Sequence, residues 1–248
     1  MSYLFPSPHL LIKLTLHSYY LNNFEQQIST LNSVYYELLA PIEKQSTLKN
    51  WWVFGGGTAL AMFHFNHRKS FDIDIFITES QLFDFLNPKW YIDEINLFDS
   101  NEYRFDGINH HVQLKTKDDI KVDFLLNESI INNPIENEII KLDYKLFYES
   151  IEDIVAKKIK YRKQDNLTRD IFDIAVAIFF DKKIIENLVF SRFISFDDLD
   201  ILNSSLDRLD EKKYILELEK IEPQTKEFEN IALNAKNIIQ KSIKSLEI

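Results

Sequence analysis

Two aspartates one residue apart, Asp72 and Asp74, lie in the run FDIDIFI, shortly after three consecutive glycines, Gly55 to Gly57. In an extended strand Phe71, Ile73, Ile75 and Ile77 point to one side and the two aspartates to the other, with Cβ atoms ~7 Å apart. Two like charges ~4 Å apart cost on the order of 4 kcal/mol at an effective dielectric of 20, and removal from water adds to that. A divalent cation offsets both, and Mg²⁺ takes hard oxygen ligands from one or two carboxylates together with substrate phosphates. A strand with one solvated face is the plainer alternative. Phe76, on the aspartates' side, speaks against it. A third carboxylate, Asp123, sits between Val122 and Phe124 in the apolar run IKVDFLL. If that run pairs with 71–77, the three aspartates form a two-metal phosphoryl-transfer site. Its cations would hold a triphosphate and lower the pKa of an attacking hydroxyl, with Asp123 as the base or a base-side ligand.

The glycines end a β-prone run, Trp51 to Phe54, and precede a helix expected over Thr58 to Phe65. Strand, glycines and helix in that order turn backbone N–H groups toward an anion. Glycine matters there because a Cβ blocks both a φ > 0 turn and close approach of a phosphate. Gly56 and Gly57 are therefore candidates for cradling phosphates, and Thr58 for capping the helix or offering its hydroxyl. A tight turn without a ligand accounts for the glycines alone equally well.

The remaining chain must position these groups. Its 248 residues, 45% of them hydrophobic, supply one large core or two joined modules. A net charge of −10 excludes broad electrostatic coating of nucleic acid and leaves room for a local basic patch. With no cysteine there are no disulfides, thiolate metal sites or cysteine nucleophile, which fits a cytoplasmic protein. No uncharged apolar run is long enough to span a bilayer, and the first residues lack the basic segment of a signal peptide. Residues up to about 50 read as helical, with Leu31, Val34, Leu38 and Leu39 near one face. Short strands follow: a hairpin of Tyr103 to Asp106 and Asn109 to Leu114 around Asp106-Gly107, and a strand from Ile120 to Leu126. After Ser150 the pattern is helical; Ser150 and Asp153 have capping-box spacing, and Thr168 or Asn166 caps the next helix. The expected layout is an α/β core over 1–148 with a helical part over 149–248, packed as one unit.

On the helix from Ile151, Lys158 and Arg162 fall within the apolar stripe of Ile151, Ile154, Val155 and Ile159, while Lys157, Lys160 and Lys163 suit a solvated basic face. Cations on a core-facing stripe must meet an acid or a phosphate, or snorkel out. The next helix, RDIFDIAVAIFF, is apolar nearly all round. Asp170 suits the dipole of its first turn. Asp173 lies deeper, and both acids are expected to pair with Lys158, Arg162 or Arg169. His64, His67, His110 and His111 show no metal-ligand spacing. Tyr161 among basic residues suits either RNA stacking or an ordinary exposed helix.

Together GGTALA and HRKSFDIDIF resemble the nucleotidyltransferases of the AbiEii/AbiGii toxin family, within the DNA polymerase β-like superfamily. The likeness spans about residues 51–174 and implies an α+β fold: a polymerase-β-like core with a mixed sheet flanked by helices, plus a helical C-terminal part. It implies nucleotide-binding roles for Gly56, Gly57, Thr58 and Ser70, and catalytic, Mg²⁺- or Mn²⁺-binding roles for Asp72, Asp74 and Asp123. Lys158, in DIVAKK, takes the place of a lysine that approaches the triphosphate. Arg68 matches the stretch leading into the aspartates; Arg169, Asp170 and Asp173 match a signature that builds the site's wall, where Arg162 adds support. The implied reaction is attack of a hydroxyl on the α-phosphate of an NTP with loss of pyrophosphate. The acceptor is a tRNA, another protein or a small molecule, and an antitoxin is the implied protein partner. Two other readings stay open: a nucleotide- or partner-binding module without turnover, and a D-x-D sugar-nucleotide glycosyltransferase, against which the glycine turn counts.

Overall fold

The computed structural model describes residues 22–46, 48, 50–126 and 130–246. The N-terminal run read for a signal peptide lies outside them. The β-prone runs become seven strands: β1 Trp52–Gly55, β2 Ile73–Ile77, β3 Phe98–Asp106, β4 His111–Thr116, β5 Lys121–Leu126, β6 Ile135–Glu136 and β7 Phe147–Tyr148. They form one mixed sheet in the order β3-β4-β5-β2-β1-β7-β6. Strand β2 is antiparallel to β1 and parallel to β5, while β4 is antiparallel to both β5 and β3. The β2–β5 pair can be parallel because the β3–β4 hairpin and two short 3₁₀ turns between them supply the long crossover that parallel strands need.

Helix α1, Glu25–Val34, continues through a π-helical turn at Tyr35–Leu39 into α2, Ala40–Ser46. Helix α3, Gly56–Ala59, widens into a π-helical stretch, Leu60–Phe65. After the sheet come α4 Ile151–Arg162, α5 Thr168–Phe180, α6 Ile184–Phe190, α7 Phe196–Asp207, α8 Glu211–Ile221, α9 Lys226–Leu233 and α10 Ala235–Lys244. The fold is α+β, as expected. One apolar cluster surrounds the sheet, with Trp51, Phe54, Ile75 and Phe124 fully buried. A second lies among the C-terminal helices around Phe172, Leu206 and Ile239. Ile151 and Phe65 pack against both, so the start of α4 lies where sheet and helices meet. Among the described residues no helix is long and apolar enough to cross a membrane.

Local expectations shift in five places. Strand β2 begins at Ile73, leaving Phe71 exposed and Asp72 just ahead of the strand. Helix α3 begins at Gly56, two residues early, and no side chain caps it, so Thr58 lies inside the first turn. The hairpin turns over residues 107–110, with Asp106 accepting the N–H groups of Ile108 and Asn109. His110 therefore sits in the turn at φ 46°, and only His111 is on the strand. Ser150 does cap α4, accepting the Asp153 N–H at 3.3 Å, but the reciprocal half of the box is absent. The Asp153 carboxylate accepts from the N–H groups of Ile130 and Ile131 instead. Leu167, rather than Thr168 or Asn166, precedes α5; the Thr168 hydroxyl donates to Glu217 and Asn166 adopts φ 49°.

Candidate active site

The register of β2 against β5 sets Asp74 directly beside Asp123, and that of β1 against β2 sets Gly55 on the other side of Asp74. Paired residues share a sheet face, so the two carboxylates project together. Asp72, two residues before Asp74, projects to the same side, where its Oδ2 meets Arg169 Nη1 at 3.2 Å. One oxygen of Asp123 accepts from two β4 side chains, His111 Nε2 at 2.6 Å and Gln113 Nε2 at 2.9 Å. Burial, then the charges of Asp123 and Asp72, push the Asp74 pKa up to about 7, against the pull of Arg162 and Lys158.

The glycine turn closes over these acids. Gly56 has φ +68°, and a Cβ there would lie 2.0 Å from Asp74 Oδ2. A Cβ on Gly57 would lie 2.3 Å from Arg68 Nη2. The Gly56 N–H, expected to face a phosphate, donates to Glu149 Oε2 at 2.9 Å. Glu149 is buried and pairs in turn with Lys157, whose ammonium lies 3.9 Å from the centre of the Phe76 ring. Lys157 is thus a buried cation of the site and not part of a solvated face; Lys163 too is largely covered, on Asp198 at 2.6 Å, and Lys160 alone of the three is exposed. The buried Thr58 hydroxyl donates to the Asp72 carbonyl and meets Ser70 Oγ at 2.7 Å. Gln27 Nε2 donates to the Ser70 carbonyl at 3.1 Å. Thr58 and Ser70 therefore hold the backbone that delivers Asp72.

Behind the glycines lies a buried charge cage. Asp173, fully buried, accepts a two-pronged contact from Arg68 (Nε 2.7 Å, Nη2 2.9 Å), a third bond from His67 Nε2 at 2.7 Å, and faces Lys158 Nζ at 3.0 Å. Lys158 also pairs with Asp170, which Arg162 Nη1 approaches at 3.5 Å. Burial opposes ionisation of Asp173, yet Arg68 and Lys158 hold it well below the ordinary carboxylate range. Burial likewise lowers His67, which donates as a neutral ring. The expected pairing of Asp170 and Asp173 with Lys158 and Arg162 holds; Arg169 turns instead to Asp72.

Two adjoining cavities meet at Gly57, Asp74, Lys158 and Arg162. The polar one, about 230 Å³, is lined by Asp72, Asp123, His111, Gln113 and Arg169. The other, about 210 Å³, has apolar walls from Phe76, Leu125, Leu126 and Ile154, with Tyr161 beside them. Three aspartates and no thiolate form a hard-oxygen donor set that suits Mg²⁺ or Mn²⁺. The raised Asp74 is what burial and crowded carboxylates produce when neighbouring cations only partly offset them. Among the described residues no three Asp, Glu or His side chains stand as a ready ligand cluster; Asp72 meets Arg169, and Asp123 accepts from His111 and Gln113.

Four site residues escape sequence reasoning: His111, Gln113, Glu149 and Lys157. His111 and Gln113 carry the one available signal, a period of two that puts both on one face of β4.

No curated protein matches the sequence. Among solved structures, JHP933 from Helicobacter pylori is 18% identical, covering 88% of this chain and 94% of that one, at a TM-score of 0.43. MenT4, a nucleotidyltransferase toxin from Mycobacterium tuberculosis H37Rv, is 13% identical, covering 93% and 92%, at a TM-score of 0.42. Residues 37–234, which hold the three aspartates, the glycine turn and the charge cage, match the family model described as "Nucleotidyl transferase AbiEii toxin, Type IV TA system". The chain belongs to the AbiEii nucleotidyltransferase toxin family.

Proposed function

We propose that this nucleotidyltransferase moves a nucleoside monophosphate from an NTP to an acceptor hydroxyl on tRNA, with Mg²⁺ or Mn²⁺ and loss of pyrophosphate. The observation that carries the reading is the β2–β5 register: it brings Asp123 beside Asp74, on the cleft that the glycine turn closes. A bound divalent cation supplies charge neutralisation at the phosphates and a lowered pKa for the acceptor hydroxyl. Asp72, Asp74 and Asp123 would hold it, Asp72 leaving its contact with Arg169 to do so.

Asp123 lines the polar lobe, where it takes the proton of the acceptor hydroxyl. Lys158 and Arg162, at the junction of the lobes, set positive charge beside the phosphates, and the acids of the cage fix Lys158 in place. The apolar lobe, walled by Phe76 and Leu125, suits the nucleoside and keeps water from it. Exposed Tyr161, Arg162 and Arg169 add stacking and positive charge at the cleft, which fits an RNA acceptor despite the acidic chain. Membership of a type IV toxin family implies an antitoxin partner.

The test is incubation with labelled NTPs and Mg²⁺ over total tRNA, protein and small-molecule pools, comparing wild type with Asp72→Ala and Asp123→Asn. Label should enter the tRNA pool with wild type alone. Equal labelling by the variants would remove these aspartates from the chemistry. NTP binding without pyrophosphate release in any pool would establish a binding module, and a preference for UDP- or GDP-sugars a glycosyltransferase.

A further inference from the structure

Two β4 side chains converge on a single oxygen, Asp123 Oδ1: His111 Nε2 at 2.6 Å and Gln113 Nε2 at 2.9 Å. Gln113 lies directly opposite Asp123 in the ladder, and His111 two residues along, opposite Leu125, so the pleat puts all three side chains on one face. All three line the polar lobe, and the His111 and Asp123 side chains are only 24% and 14% exposed. A carboxylate left alone rotates broadly about its last torsion. Two donors on the same oxygen stop that rotation and leave Oδ2 without a partner from β4.

We infer that His111 and Gln113 are a positioning pair for Asp123, fixing its carboxylate so that Oδ2 is presented to the divalent cation and the acceptor hydroxyl. The inference rests on the proposed metal-dependent transfer. Both residues act through Asp123: the imidazole serves as a hydrogen-bond donor to Oδ1 and neither ligates the cation nor takes the hydroxyl proton. Groups behind metal-binding carboxylates and imidazoles typically change metal affinity or activity by about 10–100-fold when removed.

The experiment measures Mn²⁺ binding to the full chain by calorimetry and electron paramagnetic resonance, with thermal melts, kcat and KM for NTP alongside. The variants are His111→Ala, Gln113→Ala, the double variant, His111→Gln and Asp123→Asn. Each alanine should weaken Mn²⁺ binding by about 10-fold and lower kcat by a similar factor, with KM for NTP little changed. His111→Gln places an amide N–H near the position of Nε2 and should restore most of both. Wild-type Mn²⁺ affinity in the double variant would overturn the inference. So would a His111→Gln variant as impaired as His111→Ala while folded, because the ring itself would then be the ligand or base. Asp123→Asn separates the two levels. If it keeps Mn²⁺ affinity, the metal-site reading fails; if it loses affinity while the double variant keeps it, only the positioning role fails.

Discussion

Asp74→Asn should stabilise the protein while abolishing transfer. Burial and the neighbouring Asp123 and Asp72 raise the Asp74 pKa from 3.8 to about 7, with Lys158 and Arg162 only partly compensating. An acid whose folded-state pKa is raised destabilises the fold wherever it must ionise. That destabilisation is absent below the unfolded value, grows as pH rises, and is complete above about pH 7. A gap of roughly three units at ~1.4 kcal/mol each gives about 4 kcal/mol at pH 8. Relaxation and water at the mouth of the cleft reduce it to about 2 kcal/mol. For a chain of this size that is a melting-temperature gain of about 4–8 °C at pH 8, shrinking to nearly nothing at pH 4. Thermal melts of wild type and Asp74→Asn across that range measure it. Mg²⁺ should narrow the difference at pH 8 by stabilising wild type alone. Equal melting temperatures at pH 8, or the same gain at pH 4 and pH 8, would refute the picture of a buried Asp74 crowded by two carboxylates and only partly compensated by its cations.

Lys158→Ala should remove about 3–5 kcal/mol by leaving Asp170 and Asp173 under-compensated in the cage, and NTP affinity measured by calorimetry should fall with it. Unchanged affinity in a destabilised protein would make Lys158 purely structural. Gly56→Ala combines a strained φ of +68° with a Cβ 2.0 Å from Asp74 Oδ2, and should lose about 1–3 kcal/mol together with activity. In an Asp74→Ala background part of that loss should disappear, which a double-mutant cycle of melts resolves; full additivity would show that Asp74 is not what the methyl meets.

Much of the site is legible because its logic is local. The alternation of FDIDIFI tells which side of β2 the acids take, and an aspartate inside IKVDFLL is conspicuous against its apolar neighbours. The helical period likewise marks Lys158 as an oddity on a buried stripe. It misassigns Lys157, because periodicity carries no knowledge of Glu149, whose buried carboxylate supplies the partner that makes a second buried lysine tolerable. Thr58 misleads for a similar reason. A threonine after glycines suits a cap, yet Gly55 takes the cap position and the hydroxyl is drawn to Asp72 and Ser70, which only the folded chain brings near.

The sequence by itself determined the strand–turn–helix unit and the shared face of Asp72 and Asp74, since each depends on residues close together in the chain, and the family, which a pattern spread over residues 37–234 carries. Tertiary structure decided which strand lies beside β2, and with it the placing of Asp123 next to Asp74 and of His111 and Gln113 upon Asp123. It also decided that α4 and α5 surround the acids with Lys157, Lys158, Arg162 and Arg169. A period of two fixes a side chain's face and says nothing of its neighbouring strand. That choice belongs to the packing of the whole core, where the β3–β4 hairpin carries the chain across so that β5 can lie parallel to β2.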